Sequence, residues 1–204
     1  MAADPRSMEA YYERRAPEYD DWYLGRGLFA ERDRPGWEDE LRAVEQVVAS
    51  LPPARTLDVA CGTGFVTRHL RGRVVATDRS PAMLAESRRR HSHPLVLADA
   101  FELPFADGGF DRILAGHFYG HLDPAQRARF LDETRRVSSS LLIMDAAIRD
   151  EVRPEEIQER VLNDGSVHPV FKRYFTGSQL ADELGGADVL FEGRWFVIVD
   201  SRLD

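Results

Sequence analysis

Two glycines and three carboxylates stand where their types and spacing can do chemistry. The stretch LDVACGTGF (57–65) follows an apolar run and leads into FVTRHL (65–70), which places Gly62 and Gly64 at the carboxyl end of a first strand. In an open α/β sheet that edge is where ligands bind. Glycines there let the backbone turn sharply and let a ligand approach without a Cβ in the way. Asp58 can accept hydrogen bonds from an ammonium group or from loop amides. A second apolar run ends in Asp78, whose two carboxylate oxygens suit a pair of ribose hydroxyls, and a third ends in Asp99. A dinucleotide loop would carry a third glycine in GxGxxG, but that position is Thr67, which disfavours a nicotinamide oxidoreductase.

A second constellation is HFYGH (117–121). His117 and His121 are four apart, as zinc ligands on a helix are. The stretch nevertheless lacks a Glu beside the first His, contains Gly120 and follows a strand, so no metal is expected. A neutral imidazole near its ordinary pKa takes up a proton at physiological pH, which makes His117 the first candidate for catalytic contact, with Tyr119 and His121 as second choices. In VLNDGSVHPVFKRYF (161–175), His168, Lys172 and Arg173 could meet an anionic or carbonyl-bearing substrate, although a solvated charged loop is the simpler reading. Cys61 reads as a small buried residue, and Trp22, Trp37 and Trp195 as packing anchors.

The elements that must position these residues alternate between strand and helix. RTLDVA (55–60), RVVATD (73–78), PLVLAD (94–99), FDRILA (110–115) and LLIMDA (141–146) are nearly continuous apolar runs, as expected of parallel strands covered on both faces. Ser80 before Pro81, Asp123 before Pro124 with Gln126 behind, and Thr176 with Gln179 predict helix starts. FVTRHL, which includes His69, predicts the first crossover helix; residues 37–51 predict another, stopped by Pro52 and Pro53. ADVLF (187–191) and RWFVIVD (194–200), linked only by Glu192 and Gly193, predict an antiparallel terminal hairpin. The expected fold is therefore α/β, a Rossmann-like doubly wound sheet of seven strands, mixed in direction.

Composition narrows the partners. The 204 residues suit one domain, with 43% hydrophobic and 30% charged residues. Lys plus Arg number 27 against 35 Asp plus Glu, a net charge of -8, which argues against a dedicated nucleic-acid binder and for a small-molecule partner. One cysteine excludes an intrachain disulfide and fits a cytoplasmic location. No run approaches the ~20 apolar residues of a membrane span, and MAADPRSM lacks the apolar core of a signal peptide.

Taken together, YYERRAPEYD (11–20), LDVACGTG (57–64), VVATDRSPAML (74–84), ADAFELPFADGGFD (98–111) and the terminal hairpin resemble the class I S-adenosylmethionine-dependent methyltransferases, particularly the small-molecule group of ubiquinone and menaquinone biosynthesis. The resemblance covers roughly residues 9–200. It implies S-adenosyl-L-methionine as cofactor, with its amino-acid half at Asp58, Ala60, Gly62 and Gly64, its ribose at Asp78 and its adenine amine at Asp99. It further implies Ala100 beside the adenine ring through its amide, Met83 and Phe101 packed against the base, Ala115 and His117 near the sulfonium, and Tyr12 and Tyr19 capping the methionine end. Ala60 departs from the usual first glycine. The expected organisation is a helical cover over residues 1–54 and a core over 55–204, with an acceptor-loop insertion at about 149–175. The expected reaction is methyl transfer to an oxygen, nitrogen or carbon of a small molecule; the alternative is a protein that binds the cofactor without transfer.

Overall fold

The computed structural model describes residues 5–203. Five parallel strands, β1 (Ala54–Val59), β2 (Gly72–Asp78), β3 (Leu95–Leu97), β4 (Arg112–Gly116) and β5 (Ser140–Ala146), form the body of the sheet. A hairpin of β6 (Glu155–Val161) and β7 (Val167–Arg173) stands apart as a two-stranded sheet. The chain then returns through β8 (Asp188–Glu192) and β9 (Phe196–Arg202), and β9 lies antiparallel to β5. The order is β3-β2-β1-β4-β5-β9-β8, a seven-stranded mixed sheet as expected.

Alternation along the central strands fills two cores. Leu57, Ile113, Ala115, Leu141, Ile143, Val197 and Val199 point to one face, where α5 (Pro124–Val137) contributes Phe130 and Leu131, and α6 (Gly177–Glu183) contributes Leu180. Leu114, Leu142, Met144, Phe196 and Ile198 point to the other, against Trp37, Val44 and Val48 of α3 (Trp37–Ser50). Burial on both faces explains the continuous apolar runs. Trp22, Trp37 and Trp195 join this second core, with Trp22 and Trp37 ring centroids 4.8 Å apart.

The helix starts follow the capping chemistry. Ser80 Oγ accepts the Met83 amide at 3.1 Å and begins α4 (Pro81–Arg90). Asp123 with Gln126 and Thr176 with Gln179 each close a two-way capping box at α5 and α6. The N-terminal segment folds as α1 (Pro5–Arg15), a 3-10 turn at Ala16–Glu18 and the one-turn α2 (Asp21–Leu24).

Three expectations are corrected. FVTRHL does not form a crossover helix: only Thr67–His69 turn, as 3-10, because the chain must leave the glycine loop and enter β2 by Gly72. Residues 161–175 are not a loop but the turn and second strand of the β6–β7 hairpin, where the Leu162 amide donates to Ser166 O and Gly165 turns with φ 80°. The terminal hairpin link is Gly193–Arg194–Trp195 rather than Glu192–Gly193, since Glu192 pairs with Val197 and the Gly193 amide donates to Phe196 O. The Glu40 carboxylate accepts the Arg194 and Trp195 amides at 2.8 and 2.9 Å, which stabilises this wider turn.

Candidate active site

β1 pairs with β2 on one side and β4 on the other, so the strand order reverses there and leaves a crevice above the carboxyl ends. The glycine loop is drawn across that crevice. The Cys61 amide donates to Thr77 O, and the Gly62 and Ser80 amides donate to the two oxygens of Asp78, each at 2.9 Å. Burial raises the Asp78 pKa, and these amides hold it back. Gly62 and Gly64 both take left-handed backbone, with φ 56° and 73°. A Cβ on Gly64 would come within 2.6 Å of Ser87 Oγ, and one on Gly62 would project toward Tyr19.

Ala60 shares this left-handed geometry at φ 56°, which costs an L-residue about 1 kcal/mol. Ala60→Gly is therefore expected to stabilise the protein, by about 0.5 kcal/mol once the extra freedom of unfolded glycine is subtracted. Thermal unfolding should show a midpoint higher by about 2 °C; a lower midpoint would contradict the strain.

A cavity of about 420 Å³ lies between the loop and the N-terminal segment, a size suited to one small ligand. Ala60, Gly62 and Asp78 form its polar floor, Met83 and Phe101 flank it, and Tyr12 and Tyr19 cover it. His117 and His121 stand at its far end. A second cavity of about 1000 Å³ begins there and shares Tyr12, Tyr19, His117 and His121 with the first. Four aromatic side chains thus form the boundary between two compartments. Burial pushes the Tyr19 hydroxyl up to about 12 and Tyr12 higher still, so both remain protonated donors.

The two histidines are held differently. His121 Nδ1 is 2.6 Å from Phe171 O. A carbonyl only accepts, so Nδ1 carries the proton and Nε2 is left as the basic atom. Burial, with Lys172 and Arg160 nearby, lowers the His121 pKa well below its ordinary value. His117 sits in left-handed backbone, φ 52°, with its Nδ1 3.9 Å from Asp145 Oδ1 and its buried Nε2 unpartnered among the described residues. Burial lowers its pKa too, partly opposed by Asp145. Both rings are neutral at physiological pH.

Asp145 is the residue that sequence reasoning missed, although it stands one residue before the end of LLIMDA, much as Asp78 and Asp99 end their runs. It is fully buried at the end of β5, accepts the Gly120 and Ala146 amides at 2.7 Å each, and pairs with Lys172. Burial opposes its ionisation, yet Lys172 and the histidines hold its carboxyl well below the usual range. Lys172 is therefore not a solvated loop cation but the buried partner of this carboxylate. His168 packs on Tyr11 and Arg173 bridges Glu155 and Glu183, so neither lines the two cavities.

Several other candidates stand off the cavity wall. Tyr119 turns into the core against Phe130 and Phe175 and donates its hydroxyl to Glu183 at 2.9 Å, because its ring completes the packing between α5 and α6. Ala115 is fully buried in the sheet, and Gly116 reaches the cavity instead. Ala100 is buried in the core, and Asp99, exposed outside the cavity, accepts the Phe101 amide at 2.9 Å. Cys61 is half-buried, and desolvation pushes its thiol pKa well up, which makes it a poor nucleophile. Among the described residues no group of three or more His, Cys, Asp or Glu is placed to hold a metal ion.

Asp58 lies beneath the loop, where it accepts the Thr67 hydroxyl at 2.6 Å. Burial raises its pKa to about 7, above its unfolded value. Its contribution to stability is thus fully present below the unfolded pKa near 4 and lost as pH rises through about 7, by up to ~1.4 kcal/mol per pH unit. Asp58→Asn keeps the Thr67 hydrogen bond without the charge. Its unfolding midpoint should exceed the wild type's by more at pH 8 than at pH 5; an equal difference at both would contradict the burial argument.

Residues 57–140 match a family model described as a methyltransferase domain. That stretch of the chain is similar to a methyltransferase domain. Over 74 residues it is 39% identical to the malonyl-[acyl-carrier protein] O-methyltransferase of Legionella pneumophila, a match over 32% of this chain and 26% of that enzyme. Over 88 residues it is 38% identical to the demethylmenaquinone methyltransferase of Beutenbergia cavernae, 41% of this chain and 37% of the relative. The matches thus span a quarter to a half of these relatives' lengths. Solved structures extend the likeness of fold across nearly the whole chain. A DhpI–SAM–HEP complex superposes with a TM-score of 0.77 at 23% identity, over 97% of this chain and 96% of that one. The 1,6-didemethyltoxoflavin-N1-methyltransferase of Burkholderia thailandensis, with S-adenosylhomocysteine bound, gives 0.65 at 18% identity, over 100% and 92%.

Proposed function

We propose that the protein transfers a methyl group from S-adenosylmethionine to an oxygen, nitrogen or carbon nucleophile of a small molecule. The observation that carries this reading is the pair of cavities meeting at Tyr12, Tyr19, His117 and His121. The smaller cavity fits the cofactor: Gly62 leaves open a cradle that a Cβ would narrow toward Tyr19, Asp78 offers two carboxylate oxygens, and Met83 and Phe101 offer apolar surface for a base. The larger cavity is then the acceptor compartment.

When bound, the cofactor supplies an electrophilic methyl group on sulfur. The chain's own part is alignment and exclusion of water. Asp78 and the glycine loop fix the ligand's position at one end, while Tyr12 and Tyr19 close over the boundary. His121, with its Nε2 free to accept, takes up or orients the proton of a hydroxyl or amine acceptor, and His117 walls the other side. Asp145 and Lys172 are positioning residues, since Asp145 holds the Gly120 amide between the two histidines. The acids found off the wall, Asp58 and Asp99, act through the loops they brace. Among the described residues no helix is long and apolar enough to cross a membrane, and we place the protein in the cytoplasm on its single cysteine.

The test is turnover with methyl-labelled S-adenosylmethionine across a panel of small acids, alcohols and amines. Labelled product is expected, lost in His121→Ala while calorimetry shows S-adenosylhomocysteine bound as in the wild type. Cofactor binding with no product from any acceptor would favour a binding protein without transfer.

A further inference from the structure

The larger cavity holds cations that this acidic chain does not neutralise. Many arginines here have a carboxylate partner, as in Arg55–Asp111, Arg79–Glu9, Arg90–Asp20 and Arg136–Glu133. Arg15, Arg32 and Arg160 all line the larger cavity, and none makes an ion pair among the described residues.

Arg15 is the most telling of the three. It is only 5% exposed, its Nη1 donates to Tyr11 Oη at 2.6 Å, and its Nε is buried without a partner among the described residues. Its guanidinium carbon lies 5.3 Å from the Tyr19 ring centroid and 5.6 Å from that of Phe29, so aromatic faces fix its position. Arg160 donates from Nε and Nη2 to the neutral Gln158 amide oxygen, at 3.3 and 3.0 Å. Arg32 sits over the Phe29 ring at 4.6 Å. Of the acids on the same wall, Glu151 is taken by Arg194 at 2.5 Å, and neither Asp33 nor Glu159 bridges to the three arginines.

Buried guanidinium groups are ordinarily paired, because an unpaired charge away from water is costly and like charges repel. Arg15 is buried, Arg160 half-buried and Arg32 exposed, and the three face one cavity with no carboxylate paired to any of them among the described residues, so an anion completes the site; their planar forks suit the oxygens of a carboxylate or phosphoryl group. The geometry points to an oxyanion subsite at Arg15, Arg32 and Arg160 that holds a carboxylate, phosphate or phosphonate group of the methyl acceptor. The assignment of this anion to the acceptor rests on the functional reading above. It also gives the acidic chain a local exception, since the one cavity that must attract the acceptor is the one lined with unneutralised arginine.

The experiment is an NMR titration of arginine Nε–H signals in protein saturated with S-adenosylhomocysteine, using inorganic phosphate, methylphosphonate and acetate, with acetamide as the neutral probe. At least one oxyanion should shift the Arg15 signal saturably, and acetamide should not. Arg160→Gln and Arg32→Gln should each weaken that binding about tenfold or more, whereas Arg135→Gln, on exposed α5 surface, should leave it unchanged. A preference for phosphate and methylphosphonate over acetate, or the reverse, names the source. Equal binding to wild type and Arg160→Gln, or no saturable shift through the millimolar range, would overturn the subsite. Calorimetry of S-adenosylhomocysteine on the same samples reads the functional proposal separately: its binding without an oxyanion site overturns the subsite alone, and an oxyanion site without its binding overturns the assignment to an acceptor.

Discussion

Asp78→Ala is expected to weaken S-adenosylhomocysteine binding at least a hundredfold in calorimetry. Asp78 ends β2 at the floor of the smaller cavity with a buried carboxylate. Two hydrogen bonds from ribose hydroxyls to an ionised acceptor contribute about 1.5–3 kcal/mol each, so losing both costs about 3–6 kcal/mol, a factor of 100 or more. The same carboxylate receives the Gly62 and Ser80 amides, so its removal also loosens the loop. Asp78→Asn keeps one acceptor oxygen and should fall between the two. A dissociation constant for Asp78→Ala within about threefold of the wild type's would remove Asp78 from the cofactor site.

Lys172→Met is expected to destabilise the fold by about 3–5 kcal/mol, the cost of leaving one member of a buried pair uncompensated. Lys172 and Asp145 are both nearly inaccessible to water, and among the described residues no other cation ion-pairs with Asp145, the neutral His117 ring standing 3.9 Å away. Chemical denaturation reads the loss directly. Should Lys172→Met fail to fold, the double variant Asp145→Asn with Lys172→Met keeps an acceptor for the Gly120 and Ala146 amides without either charge, and should recover most of the stability. A single variant as stable as the wild type, or a double variant worse than the single, would contradict the pairing.

The residues legible in the sequence were those whose role depends on strand ends. Gly62 and Asp78 follow from the rule that ligands meet the carboxyl edge of a parallel sheet, and the structure sets both on the cavity. Asp145 obeys the same rule, but it follows the unbroken apolar run LLIM and precedes two alanines, so the stretch has the pattern of a core strand and hides the acid. Tyr119 and His121 lie two apart on one 3-10 turn, yet the turn aims one at α6 and the other at the cavity. No periodicity separates such neighbours. The β6–β7 hairpin did carry a signal: Asp164–Gly165 is a turn pair, and the flanking residues of β6 alternate between exposed and half-buried. Its short alternating pattern was masked by charge. Arg15 was illegible for a different reason, since ERR reads as surface until Tyr11, Tyr19 and Phe29 are folded around it.

The first crossover shows competition between local and global demands. Phe65, Val66 and Thr67 include two β-branched residues, which favour helix weakly, and the β1–β2 register fixes Ala54 opposite Gly72. The short path left after the glycine loop closes as a single 3-10 turn. Thr67 gains from that turn, because it brings its hydroxyl onto Asp58.

The most direct test of the account is a crystal structure with S-adenosylhomocysteine bound. The account expects the ribose on Asp78, the adenine between Met83 and Phe101, and the sulfur at the boundary formed by Tyr12, Tyr19, His117 and His121, facing the larger cavity. Density for the ligand in the larger cavity, or with its sulfur turned away from that boundary, would contradict it.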